Sequence, residues 1–144
     1  MTDEPIDPSP LRSTVSSFPV RPRLLVVDDE LLILEGLTRL LAARNYDVVT
    51  ANGGCEALIA IGKQQFDAIL LDLGMPDLDG NEVLRFVAER GVDTPVIVVS
   101  GDSTIDAAIR ALRGGAADFV RKPYEPEELL RRIDNTLRVY VTRA

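Results

Sequence analysis

Short apolar runs alternate along residues 23–140 with longer segments whose apolar positions recur every three or four residues. Residues 24–27 (LLVV) are a continuous apolar run, the pattern of a strand buried on both faces. Residues 30–44 follow, with Leu31, Leu34, Leu37 and Leu41 at helical spacing. Residues 46–50 are a short β-prone run, after which Asn52, Gly53 and Gly54 lead into CEALIAIGKQ, a short helix. Residues 68–71 predict a third strand, and residues 80–90 a helix closed by Gly91, a usual left-handed stop. Pro95 opens a fourth strand over 96–99. Ile105, Ala108, Ile109 and Leu112 give the next helix one apolar face, and Gly114 and Gly115 end it. Residues 118–121 predict a fifth strand. Pro126 suits a first helical turn, and Leu130, Ile133 and Leu137 line one face of a last helix. Glu125, Glu127 and Glu128 fall at its positive end and Arg138 near its negative end, which suits the helix dipole.

Strand and helix thus alternate five times with short connections. That alternation predicts an α/β fold, a doubly wound parallel sheet whose right-handed crossovers put helices on both faces. Five strands in one domain of this size point to the flavodoxin-like order 2-1-3-4-5, with its switch point between the first and third strands.

Composition narrows the function classes. A chain of 144 residues fits one domain able to bury a core without staples. Its net charge of −7 argues against a nucleic-acid-binding surface, so no direct nucleic-acid partner is expected. Cys55 is the only cysteine, which excludes an intrachain disulfide and reads as a small apolar residue on a helix. No run approaches the roughly 20 apolar residues of a membrane span, and MTDEPIDPSP is acidic and proline-rich, unlike a signal peptide. A cytoplasmic protein with no membrane partner is expected. Residues 1–22 hold five of the nine prolines and no apolar periodicity, the composition of a disordered tail. The domain is then expected over 23–140, with 141–144 its end or the start of a linker. Histidine is absent, which removes histidine metal ligands, histidine bases and any phosphohistidine within this chain. Lys63 and Lys122 are the only lysines.

Four of the predicted strands end in residues with oxygen or ammonium chemistry: Asp28 and Asp29, Asp72, Ser100, and Lys122. In a parallel sheet these carboxyl ends open onto one crevice, where ligands of open α/β folds bind. Taken alone, Asp28 or Asp29 reads equally well as a helix N-cap. Beside Asp72, however, adjacent carboxylates raise one another's pKa unless a cation neutralises them. A hard divalent ion, Mg²⁺ most naturally, does so while keeping positions open for water and phosphate. Asp72 taken alone is a turn residue, as Asp77 and Asp79 are read to be. A carboxylate sharing a cation can instead act as a nucleophile toward phosphorus, forming an aspartyl-phosphate. Ser100 can donate to one phosphate oxygen and Lys122 can place a point charge on another.

Asp28-Asp29, Asp72 followed by Met75-Pro76 and Gly80, Ser100-Gly101, and Lys122-Pro123 together resemble the receiver domain of bacterial two-component response regulators. The resemblance covers about residues 23–140. It implies that Asp72 is the phosphoacceptor, taking a phosphoryl group from a phosphohistidine of a sensor histidine kinase or phosphotransfer protein. It implies that Asp29, Asp72 and the backbone carbonyl of Gly74 bind Mg²⁺ directly, with Asp28 acting mainly through water. Lys122 would pair with Asp72 and later with the phosphate, Ser100 would follow the phosphate inward, and Phe119 would change rotamer in response. A cis Lys122–Pro123 peptide is also implied, a form nearly confined to proline. Gly74 departs from the many relatives with a side chain there, and Ser100 and Phe119 are variants of Thr and Tyr. Phe119 has no phenolic hydroxyl, so its inward state would rest on packing alone.

The expected function is a phosphorylation-activated switch, not an enzyme acting on an outside substrate, that assists its own Mg²⁺-dependent phosphorylation and dephosphorylation. Phosphorylation would alter the face of the fourth helix, fifth strand and fifth helix and so regulate a downstream protein or a fused output domain. Arg110, Arg113, Arg131 and Arg132 near Asp118 mark that face as a candidate homodimer contact. A phosphohydrolase of the haloacid-dehalogenase type would want a second acid where Gly74 stands, and a dinucleotide-binding domain would want a glycine-rich turn where DDE stands.

Overall fold

A computed structural model of the chain describes residues 21–90, 93–102 and 104–143, with side chains described as far as residue 140. Five strands, β1 (Arg23–Val27), β2 (Asp47–Ala51), β3 (Ala68–Asp72), β4 (Val96–Ser100) and β5 (Asp118–Arg121), alternate with five helices. The helices are α1 (Leu31–Ala42), α2 (Gly54–Lys63), α3 (Gly80–Glu89), α4 (Ile105–Arg113) and α5 (Pro126–Arg143). The strands form one parallel sheet in the order β2-β1-β3-β4-β5, the flavodoxin-like order expected from the alternation.

β3 and β4 are buried at every position, and β1 at every position but Arg23, which explains their unbroken apolar runs. Successive side chains leave the sheet on opposite faces. Leu24 and Val26 join Leu70, Ile97 and Val99 on one face, packed under Leu34 and Leu41 of α1 and Leu129, Ile133 and Leu137 of α5. Leu25 and Val27 join Ile69, Leu71 and Val98 on the other, under Ala57 of α2, Val83 and Val87 of α3 and Ala111 of α4. Each fully buried leucine or isoleucine contributes about 1.5–3 kcal/mol, so the two clusters hold the sheet centre, and with it the strand ends, rigid.

Local signals set the helix ends. Glu30 is extended and α1 starts at Leu31; Asn45, at φ 71°, turns the chain out of the helix through the left-handed region that Asn tolerates. Asp79 caps α3 by accepting from the Asn81 N–H, and Thr104 caps α4 by accepting from the Ala107 N–H. Gly115, at φ 111°, follows α4 as the pattern expected. The expected stop at Gly91 and the tail at residues 1–20 lie outside the described residues. Pro22 is already tied to the sheet, its carbonyl accepting from the Asp47 N–H at 2.9 Å.

Two placements lie outside what the pattern specified. The apolar face of α4 points outward: Ile105 is 77% exposed and Ile109 and Leu112 are also exposed, whereas Ala107 and Ala111 are buried. Alanines on the inner side let α4 sit close to the sheet, and Gly114 allows the same closeness, since a Cβ there would lie 3.1 Å from Leu84 Cδ2. Cys55 lies on α2 as expected, exposed in its first turn.

Candidate functional site

The carboxyl ends of β1, β3, β4 and β5 bring Asp28, Asp29, Asp72, Ser100 and Lys122 to one end of the sheet, as their strand-end positions predicted. One carboxylate oxygen from each of Asp28, Asp29 and Asp72 lies within 4.8 Å of the others. Asp28 is 3% and Asp72 7% exposed, and Asp29 is half-buried. Three acids this close and this enclosed form an oxygen-donor set of the kind that hard divalent cations take.

Asp28 holds the turn into α1 rather than capping it, since the N-cap position is Glu30, which has no side-chain cap. Its Oδ1 accepts from the Glu30 N–H at 2.9 Å at the start of α1, and its Oδ2 faces Lys122 Nζ at 3.2 Å. Lys122 Nζ also reaches Asp72 Oδ2 at 3.6 Å, while Asp72 Oδ1 accepts from the Gly74 N–H at 3.2 Å. Burial pushes the Asp72 carboxyl above the ordinary carboxylate range; the Gly74 N–H and Lys122 pull it down, and the charges of Asp28 and Asp29 add to the rise. For Lys122, burial opposes the charge, but Asp72 and Asp28 outweigh it and hold the ammonium above its ordinary value. One ammonium thus pairs with two of the three clustered carboxylates, and the excess negative charge is what a bound cation would relieve.

Ser100 is buried, and its Oγ accepts from the Asp102 N–H at 3.0 Å, within its own turn. The Ser100 carbonyl accepts from the Lys122 N–H at 2.8 Å, tying the β4 and β5 ends together. The Lys122–Pro123 peptide is cis, as the resemblance implied. Phe119 is half-buried and lines a groove of about 570 Å³ between α4, β5 and α5, with Ile105, Leu112, Tyr124 and Arg132. Arg132 and Asp118, read as homodimer contacts, pair within the chain: Arg132 bonds Asp118 Oδ1 at 2.7 Å and Glu128 Oε2 at 3.1 Å. Helical spacing brings Arg132 to Glu128, and β5 places Asp118 beside both.

Reading the sequence alone missed one acid near the site. Asp77 is more than a turn acid: its carboxylate accepts from the Gly54 and Cys55 N–H groups and caps α2 across space. The signal was the Gly53-Gly54 pair, which begins a helix with no side chain able to cap it.

A doubly wound sheet with an acidic triad at its switch point, two acids of which are reached by a lysine from the end of β5, is consistent with a phosphoacceptor domain, and the comparisons give the family. Residues 24–134 match the response regulator receiver domain family. The response regulator MprA of Mycobacterium leprae (strain TN) is 40% identical over 116 residues, covering 81% of this chain and 51% of the relative. The MprA of Mycobacterium avium (strain 104) matches to the same extent. Among solved structures, a CheY-like receiver domain protein of Methanospirillum hungatei JF-1 has a TM-score of 0.82 at 28% identity, covering 86% of this chain and 99% of that one. The receiver domain of the Francisella response regulator 1452 has a TM-score of 0.79 at 30% identity, covering 82% and 98%. This chain belongs to the response regulator receiver domain family. It spans about half the length of the MprA relatives it matches. Receiver domains are normally phosphoacceptors of two-component signalling, and the Asp28, Asp29 and Asp72 pocket is consistent with such a site. Among the described residues no helix is long and apolar enough to cross a membrane.

Proposed function

We propose that this domain is a phosphorylation-activated switch in which Asp72 accepts a phosphoryl group from a sensor histidine kinase or phosphotransfer protein. The observation that carries this reading is the placement of buried Asp72 between two further carboxylates and the Lys122 ammonium 3.6 Å away. An Asp72 oxygen attacks phosphorus, the P–N bond to the donor imidazole breaks, and the imidazole nitrogen keeps the bonding pair and takes a proton. The product is an acyl phosphate. Asp28, Asp29, Asp72 and the Gly74 carbonyl would hold Mg²⁺, which when bound supplies positive charge shared between the carboxylates and the phosphoryl oxygens. Lys122 turns from Asp28 and Asp72 to the new phosphate, where an ammonium serves as a compact point charge. Ser100 gives up its bond with Asp102 and donates its hydroxyl to the phosphate.

That inward movement of Ser100 frees space for Phe119, which repacks toward β4 and reshapes the groove between α4, β5 and α5. The groove face regulates a downstream protein or an output domain in the same protein, and a second copy of the domain is a further candidate for it. Exposed Ile105, Ile109 and Leu112 at its edge support that role, because a large exposed apolar patch marks an interaction surface. The domain corresponds to residues 23–140 and acts in the cytoplasm. It turns over no outside substrate, but supports its own phosphorylation and dephosphorylation. Incubation with acetyl phosphate and Mg²⁺ tests this: intact mass should rise by one phosphoryl group that hydroxylamine removes, and Asp72→Asn should abolish the gain. An unmodified wild type would refute the reading.

A further inference from the structure

Asp77 sits in the loop 73–79 that follows the phosphoacceptor, yet its side chain is committed to another element. Oδ1 accepts from the Gly54 N–H at 3.0 Å and Oδ2 from the Cys55 N–H at 3.1 Å. Both donors belong to the first turn of α2, where backbone N–H groups have no partner inside the helix. The N-cap residue, Gly53, has no side chain to satisfy them. The two segments touch closely: a Cβ on Gly53 would lie 2.8 Å from Asp77 Oδ2, and one on Gly54 would lie 2.6 Å from Leu78 Cβ. The rest of the loop is anchored too. Met75 is buried in the core beneath α2 and α3, and the Gly80 N–H closes on the Leu73 carbonyl at 3.3 Å. Gly74 lies inside this frame, is itself exposed and has no side chain to hold it. Its N–H nevertheless reaches Asp72 Oδ1 at 3.2 Å.

We propose that Asp77 is a positioning residue for Asp72: by capping α2 across space it fixes the loop whose Gly74 N–H orients the phosphoacceptor carboxylate. The inference rests on the reading of Asp72 as phosphoacceptor. A carboxylate must present one oxygen along the attack line, and small misplacements slow such reactions steeply. Asp77 supplies the polar anchor of the loop tip, and Met75 and Leu78 supply apolar ones that can slide.

The test uses the full chain with Asp77→Ala, Asp77→Asn and Gly54→Ala. Acetyl phosphate is the phosphodonor, and the Gly74 amide is followed in ¹H–¹⁵N spectra. Asp77→Ala should lower the maximal rate of Asp72 phosphorylation by about 10-fold, the scale of lost outer-shell support. The Gly74 amide should move upfield as its bond to Asp72 loosens. Asp77→Asn, which keeps one acceptor oxygen, should recover part of both. Gly54→Ala pushes Leu78 away from the opposite side of the contact and should move the Gly74 amide the same way. A merely structural cap would lower the melting temperature and leave the Gly74 amide and the rate of the folded variant unchanged, and that result overturns the proposal. Should Asp77→Ala not fold, Asp77→Asn decides by the same two readouts. A wild type that is never phosphorylated removes the reading of Asp72 itself, an outcome distinct from a phosphorylated wild type matched by its variants.

Discussion

Lys122 Nζ stands 3.2 Å from Asp28 Oδ2, closer than the 3.6 Å that separates it from Asp72. The single ammonium of the site is therefore shared, and leans toward the acid that also accepts from the Glu30 N–H in the turn before α1. Removing it leaves a buried carboxylate, 4% exposed in its side chain, without a counter-charge. Lys122→Met is expected to destabilise the metal-free domain by about 2–3 kcal/mol, since unpairing a buried charge costs more than the pair contributes. Added Mg²⁺ should return much of that loss. Urea titrations of both proteins with and without Mg²⁺ check it.

The raised carboxyl of Asp72 makes a prediction of definite sign. Burial makes its folded pKa higher than its unfolded one. Its contribution to stability is thus fully present below the unfolded value of about 4 and is lost as pH rises through the folded value. At neutral pH without Mg²⁺, Asp72→Asn should therefore be more stable than the wild type. The difference should vanish below about pH 4, where the wild-type carboxyl is also neutral. With Mg²⁺ the order should narrow or invert, because only the wild type keeps all three carboxylates. Thermal melts across pH, with and without Mg²⁺, decide this.

The outward face of α4 predicts a contrast between two kinds of substitution. Ile105→Ser and Ile109→Ser should change stability by no more than about 0.5 kcal/mol, the usual range for surface positions. Ala111→Leu, at a fully buried position against the sheet, should cost about 1–3 kcal/mol by overpacking. Equilibrium unfolding of the three variants measures the difference.

Gly36 lies exposed in the middle of α1, and a Cβ built there meets nothing within 4 Å. Gly36→Ala should raise stability by about 0.5–1 kcal/mol, the helix-interior difference between the two residues. A rise in the melting temperature with unchanged phosphorylation is the expected result.

The sheet and the acidic pocket were legible because their signals are local. The unbroken runs LLVV, AILL and VIVV each mark a strand buried on both faces, and each is followed at once by the residue it delivers to the crevice. The orientation of α4 was not legible. Periodicity locates an apolar stripe, but Ala107 and Ala111 make an equally regular and smaller one, and only the closeness of α4 to the sheet selects between them. Asp77 escaped for another reason: its partners stand at positions 54 and 55, in a segment that becomes adjacent only once the parallel sheet has formed. Arg132 looked free for a partner because its bond to Asp118 depends in the same way on β5 packing beside α5.

The central claim is that Asp72, and neither of the two acids beside it, carries the phosphoryl group. Borohydride reduces an acyl phosphate to the alcohol, so a phosphorylated aspartate becomes homoserine and can be located by peptide mass spectrometry. After treatment with acetyl phosphate, Mg²⁺ and borohydride, homoserine is predicted at position 72 alone. Homoserine at Asp28 or Asp29, or none anywhere in the chain, would contradict the account.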